Sequence, residues 1–181
     1  MPIVTTIEGR IAQVAIDRPE KRNTLSSELC KDLAREFLEL NDDTRVRSIV
    51  LCGHNNVFCA GLDIEEQLAE NTPIFNEFQK VIDALDALSK PVVAAVSGPA
   101  VSQGAAMLYH CDLVFAGEHA LFSMPGLALG QTPRYGVSLL AVKSGGYKLA
   151  AQKLLLSEPI SAAEAVAMGL VNHIVEDDKV M

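Results

Sequence analysis

The chain has 181 residues, of which 49% are hydrophobic, 21% charged and only 5% aromatic. That length suits one domain, and almost half apolar supplies a sizeable core, which excludes an intrinsically disordered chain. Lys plus Arg number 15 and Asp plus Glu 23, and the resulting net charge of −8 argues against a general binder of nucleic acid or of anionic membrane, both of which need a basic field. A small anionic ligand at a local basic spot stays compatible with it.

In chain order, Ile3 to Glu8 and Ile11 to Asp17 alternate on either side of Gly9-Arg10, which predicts an antiparallel hairpin. Asp17 to Asn23 is a polar loop broken by Pro19. From about Ser26 to Leu40 the residues Leu29, Leu33, Phe37 and Leu40 fall on one helical face, with Glu28 well placed in the first turn. Ser48 to Cys52 reads as a short buried strand. A short helix is expected over Asp63 to Glu70 and a longer one over Ile74 to Leu88, stopped before Pro91. Val92 to Val96 is a fully apolar strand, and two buried strands joined through helices imply a parallel pair. Gly98 to Gly104 reads as a small-residue turn opening a helix over about Gln103 to Tyr109. Asp112 to Ala116 is a further strand, Tyr147 to Leu155 and Ser161 to Met168 are helices, and Leu170 to Ile174 is a last short strand. No repeat or linker is visible, and the fold class is α/β.

The cysteines Cys30, Cys52, Cys59 and Cys111 form no CxxC pair, and no histidine lies at zinc-ligand spacing from them, so reduced thiols and no metal site are expected. Met1-Pro2-Ile3-Val4 opens without a basic n-region or a long apolar h-region, so no signal peptide is read. The longest apolar runs, such as Pro91 to Val96, fall far short of the roughly 20 residues of a membrane helix. A soluble, cytoplasmic protein is expected.

Two strand-to-helix turns carry the chemistry. Phe58-Cys59-Ala60-Gly61-Leu62-Asp63 and Ser97-Gly98-Pro99-Ala100-Val101-Ser102-Gln103-Gly104 each follow a buried strand, consist largely of small residues and open a helix. Small residues let a ligand approach the backbone, and a helix start presents unpaired N–H groups. Two such donors converging on one point make an oxyanion hole. Tight helix–strand packing is the plain alternative for either turn alone.

Together the turns resemble those of the crotonase superfamily, the enoyl-CoA hydratase/isomerase family. Asp17-Arg18-Pro19-Glu20-Lys21-Arg22-Asn23-Thr24-Leu25 is similar to its CoA-contacting loop, Phe58 to Ile64 to its first oxyanion turn, and Ala95 to Gly104 with Cys111-Asp112 to its second. Ile160 to Ala165 and Gly169-Leu170-Val171 match its later helix and strand. The resemblance implies a crotonase-like ββα superhelix that binds an acyl-CoA substrate, with CoA as part of the substrate and no other cofactor. It places the backbone N–H groups of Leu62 and Gln103 at the thioester oxygen, and Lys21, Arg22, Ala60, Gly61, Asp63, Ile64 and Gly104 around the CoA. A homotrimer or hexamer is implied as well.

The sequence departs from the family pattern where proton transfer belongs. The two glutamate positions of the hydratases hold Ala106 and Gly126, and the carboxylate position of one isomerase branch holds Arg134. Tyr135 could transfer a proton or merely pack, and Arg134 could hold a substrate carboxylate or be a surface cation; these two are the side-chain candidates for catalysis. Glu65 and Glu66 could face the acyl pocket or solvent. His54 is read as a loop residue, His110 as buried and structural, Asp63 as a helix cap. The chain is also read as a single domain over 1–181 without the family's C-terminal helices, as a natural short form, a frame-shifted fragment or a truncated piece. An enzyme that stabilises an enolate leads; a non-catalytic acyl-CoA-binding or interaction protein of the same fold is the alternative, and a fragment without stable function the third reading.

Overall fold

Alternation over Ile3–Glu8 and Ile11–Ile16 produces the expected hairpin, β1 and β2, in register from Ile3↔Ile16 to Glu8↔Ile11. The structure, a computed structural model, describes residues 2–181; Met1, the first residue of the opening stretch read for a leader, lies outside them. Helix α1, Ser27–Asp42, buries Leu29, Cys30, Leu33, Ala34, Phe37 and Leu40 as one stripe. Its cap Ser26 accepts from the Leu29 N–H at 3.1 Å, a contact worth about 1 kcal/mol. The chain then enters β3, Ser48–Gly53, parallel to β2.

The helix expected over Asp63 to Glu70 is only Ile64–Gln67, α2. Leu68 is 81% exposed, so no core contact holds a further turn. Helix α3, Ile74–Ala87, lays Ile74, Phe78, Val81, Ile82 and Leu85 inward and packs on α1. Strand β4, Val92–Val96, pairs parallel with β3, as the apolar runs predicted.

Beyond β4 the chain leaves the first sheet. Pro99–Val101, read from sequence as part of a turn, is a short strand, β5. Its partner β7, Leu121–Ser123, carried no sequence signal at all, because three residues are too few to show alternation. Between them lie α4, Gln103–Leu108, buried at every position, and β6, Leu113–Gly117, which returns to the first sheet beside β4. Helix α5, Val137–Gly145, also escaped the sequence reading: it buries only Val137 and Ala141 and has no clean apolar stripe. Helix α6, Tyr147–Leu156, β8, Ile160–Ser161, and α7, Ala162–Ala167, follow.

The last strand, β9, is His173–Val175 rather than Leu170 to Ile174. Leu170 and Val171 are apolar because they are buried in the α7–β9 connection, and they take no part in pairing.

The first sheet has six strands in the order β1-β2-β3-β4-β6-β9, with only β1 antiparallel; the second has three, β5-β7-β8. Successive passages of the chain lay one strand in each: β4 then β5, β6 then β7. The segment after β3 does the same through a parallel bridge between Cys59 and Ala100. This is the ββα superhelix the sequence implied. No helix among the described residues is long and apolar enough to cross a membrane, and no group of three His, Cys, Asp or Glu side chains among them could hold a metal. All four cysteines are free.

Candidate active site

The segment after β3 runs extended beside β5, with Phe58 donating to the Pro99 carbonyl at 3.0 Å and Val101 to the Cys59 carbonyl at 2.8 Å. At Gly61 the chain turns through φ +95°, a conformation that glycine adopts without strain. Leu25 then clasps the turn from one side: its N–H donates to the Gly61 carbonyl and its carbonyl accepts from the Asp63 N–H, both at 2.8 Å. Leu62, bridged to Leu25 between those bonds, turns its own N–H to the opposite side. There it meets no protein acceptor among the described residues.

The second turn is anchored by Ser102, whose N–H donates to the Ser123 carbonyl of β7 at 2.7 Å. Ser102 sits at φ +54°, ψ −114°, a costly backbone for a residue with a Cβ. Gln103 is the first residue of α4, and its N–H also finds no protein acceptor among the described residues. The turns abut. A Cβ on Gly104 would sit 2.3 Å from the Cys59 carbonyl oxygen, and one on Gly61 would sit 3.1 Å from the Ser102 Cβ. Two backbone donors without a protein acceptor among the described residues thus belong to neighbouring turns.

Below the second turn opens a cleft between α4 and the 124–137 segment. Ala106, Gly126, Arg134 and Tyr135 all line it. Among the described residues, its wall carries no carboxylate. The Arg134 guanidinium lies 4.7 Å over the Phe75 ring and makes no ion pair among the described residues. Tyr135, at φ +58°, packs edge-on against Phe78 with ring centroids 4.7 Å apart. Its hydroxyl donates to the Phe75 carbonyl at 3.4 Å. Burial pushes that hydroxyl up to about 12, opposed by the Arg134 guanidinium beside it. It therefore stays protonated at neutral pH, able to donate a hydrogen bond and unable to serve as a base.

His110 is structural, as expected: its Nδ1 faces Asp86 Oδ1 at 2.8 Å and its Nε2 the Tyr135 carbonyl at 2.9 Å, holding that strained residue in place. His54 is an exposed loop residue. Asp63 caps α2 by accepting from the Glu65 N–H at 3.1 Å. Neither glutamate beyond it faces the acyl cleft. Glu65 pairs with Lys21 at 3.0 Å, and Glu66 takes the Ser27 N–H and hydroxyl at 2.9 and 2.6 Å, adding a second cap to α1.

The basic loop is arranged differently from a simple phosphate spot. Arg18 turns inward to Asp63 at 3.1 Å and to the Thr24 carbonyl at 3.2 Å. Lys21 is shared with Glu65, and only Arg22 stands exposed and unpaired among the described residues. The Arg22 carbonyl accepts from the Ala60 N–H at 3.2 Å, which brings this loop against the first turn. Ile64 is 67% exposed on the same rim.

Sequence reasoning missed Asn23. It is fully buried at φ +57°, accepts from the Arg18 N–H at 2.9 Å and donates to the carbonyls of His54 and Val57. The one available signal was the tolerance of Asn for the left-handed region, in a loop otherwise read only as polar.

A superhelix of ββα passages that juxtaposes two turns with free backbone donors, beside a cleft, defines the crotonase class of fold. Residues 6–181 match the family described as enoyl-CoA hydratase/isomerase, and the chain belongs to that family. It is 34% identical to a short-chain-enoyl-CoA hydratase of Clostridium acetobutylicum, over 99% of this chain and 70% of that protein. It is 32% identical to a 2,3-dehydroadipyl-CoA hydratase of Escherichia coli, over 97% of this chain and 70% of that one. The crystal structure of an enoyl-CoA hydratase/isomerase from Pseudoalteromonas atlantica T6c superposes with a TM-score of 0.93 at 32% identity, covering 99% of this chain and 72% of that chain.

Proposed function

We propose that the chain binds an acyl-CoA thioester at the junction of its two turns and stabilises the enolate oxygen with the N–H groups of Leu62 and Gln103. The observation that carries this reading is the pair of backbone donors, on abutting turns, that no protein acceptor uses. Each such donor contributes roughly 2.7–4 kcal/mol to an oxyanionic transition state. The relatives' names, hydratases of enoyl-CoA and dehydroadipyl-CoA, support a CoA thioester as the ligand. Around the CoA the reading places Lys21, Arg22, Ala60, Gly61, Asp63, Ile64 and Gly104. The CoA comes with the substrate, and no further cofactor is invoked.

Ala106 and Gly126 on the cleft wall favour a second reading, a non-catalytic acyl-CoA-binding protein of the same fold. General acid–base groups each contribute about 10²–10⁴-fold, and the wall offers no carboxylate to supply them. Thermal unfolding with millimolar acetyl-CoA and crotonyl-CoA, beside a turnover panel, decides between the readings. A ligand at 100 times its Kd stabilises the fold by about 2.7 kcal/mol. Stabilisation with turnover supports the enzyme, stabilisation without turnover the binder, and no shift in Tm overturns both.

The same reading makes the protein a cytoplasmic trimer or dimer of trimers. Its support is the apolar surface on α5 and α6, where Leu139, Tyr147, Leu155 and Leu156 are exposed. A clean monomer at micromolar concentration in sedimentation equilibrium would refute it.

A further inference from the structure

We infer that the cleft selects acyl groups that carry a carboxylate of their own, bound by the Arg134 guanidinium with the Gln103 side-chain amide as a second donor. The inference rests on the CoA-thioester reading and adds the chemical class of the acyl group.

The electrostatics of the cleft wall point this way. The chain carries 23 acidic against 15 basic side chains, yet among the described residues the only charged one lining the cleft is a cation. Among the described residues no carboxylate pairs with Arg134. Its guanidinium is steadied 4.7 Å over the Phe75 ring, an attraction that limits its wandering and leaves the edges of the planar fork to donate. A planar fork fits a carboxylate with two parallel hydrogen bonds.

Gln103 provides the second, independent sign. The residue is 6% exposed and lines the cleft wall. The Ser102 hydroxyl donates to its Oε1 at 2.7 Å, which fixes the amide, while its Nε2 donates to no protein acceptor among the described residues. Among the described residues, the cleft offers an acyl group a guanidinium and an amide N–H, and no anion. A hydrocarbon acyl chain satisfies none of these donors. A short ω-carboxyacyl group satisfies the charged one.

Titration calorimetry with CoA thioesters matched in chain length tests the assignment: succinyl-CoA against butyryl-CoA, and glutaryl-CoA against valeryl-CoA. The wild-type protein should bind one carboxylated member of these pairs about tenfold or more tighter than its hydrocarbon counterpart. Arg134→Met should erase that preference, bringing the affinity ratio within each pair close to one, and Arg134→Lys should keep part of it. Arg134 is exposed, so these variants keep the fold, and an unaltered Tm confirms it. Equal affinity within both pairs, or a preference that survives Arg134→Met, overturns the inference while the thioester reading stands. Failure of all four thioesters to bind overturns that reading and the inference with it.

Discussion

Asn23 donates its side-chain N–H to the Val57 carbonyl at 2.7 Å, across 34 residues of chain. The same nitrogen reaches the His54 carbonyl at 3.0 Å, so one buried amide joins the N-terminal loop to the strand that leads into the first turn. Asn23→Asp keeps the backbone preference but sets an acceptor against two carbonyls. The expected cost is about 3 kcal/mol, from unsatisfied buried groups and a desolvated charge. Urea unfolding checks this, and a midpoint equal to that of the wild type would count against it.

Gly104 is a glycine for a steric reason that lies on the other turn. Its φ is not in the left-handed region, so the obstacle to a side chain is the Cys59 carbonyl, 2.3 Å from a Cβ. Gly104→Ala should push the turns apart, cost about 1–3 kcal/mol as overpacking does, and abolish CoA-thioester binding. Gly130, at φ +70° with open space around it, is the contrast: Gly130→Ala should cost only backbone strain of about 1 kcal/mol and leave binding intact. Equal loss of binding in the two variants would refute the abutting-turn account.

Ala106 and Gly126 face one cleft, and carboxylates there should restore what the wall lacks. A Cβ on Gly126 would sit 3.3 Å from the Gln131 carbonyl oxygen, a tight contact that a shift of a few tenths of an ångström in that turn must relieve. Ala106→Glu with Gly126→Glu should raise crotonyl-CoA hydration by about tenfold or more, short of the 10²–10⁴ per group of a site built for them. Each single change should do much less, since the two groups act on one water. Vigorous hydration by the unmodified protein, or a folded and binding double variant with no gain, would show that proton transfer resides elsewhere.

Acid should loosen the first turn of α7 selectively. Lys153, at 2.7 Å, and then the Ser161 backbone and hydroxyl hold the Glu164 carboxyl at about 2, below its ordinary 4.5. A depressed folded value means that its contribution is complete above about 4.5 and is lost as pH falls toward about 2. Amide protection factors in α7 should fall over that window, and Lys153→Met should move the onset upward. At His119 the sign is reversed. Asp177 raises its imidazole, so that contribution is full below the ordinary 6.5 and fades as pH rises past the elevated value.

Periodicity alone marked α1, α3, β3 and β4, because each buries one continuous face or both faces against the core, and burial writes itself into spacing. The two turns were legible for a related reason: close backbone approach forbids side chains, and small residues record that locally. The same spacing carried no trace of β5 and β7, three-residue strands whose pairing depends on a second sheet assembled from distant segments. Nor did it show that Arg18 would turn to Asp63, that Glu66 would cap α1, or that Asn23 would be the buried clasp. A loop residue's local energies differ little between orientations, so a partner brought in by the fold decides where its side chain points. The cleft is the clearest instance: α4 contributes Gln103 and Ala106, a later segment contributes Gly126 and Arg134, and only their meeting across the superhelix makes a pocket with one cation and no acid.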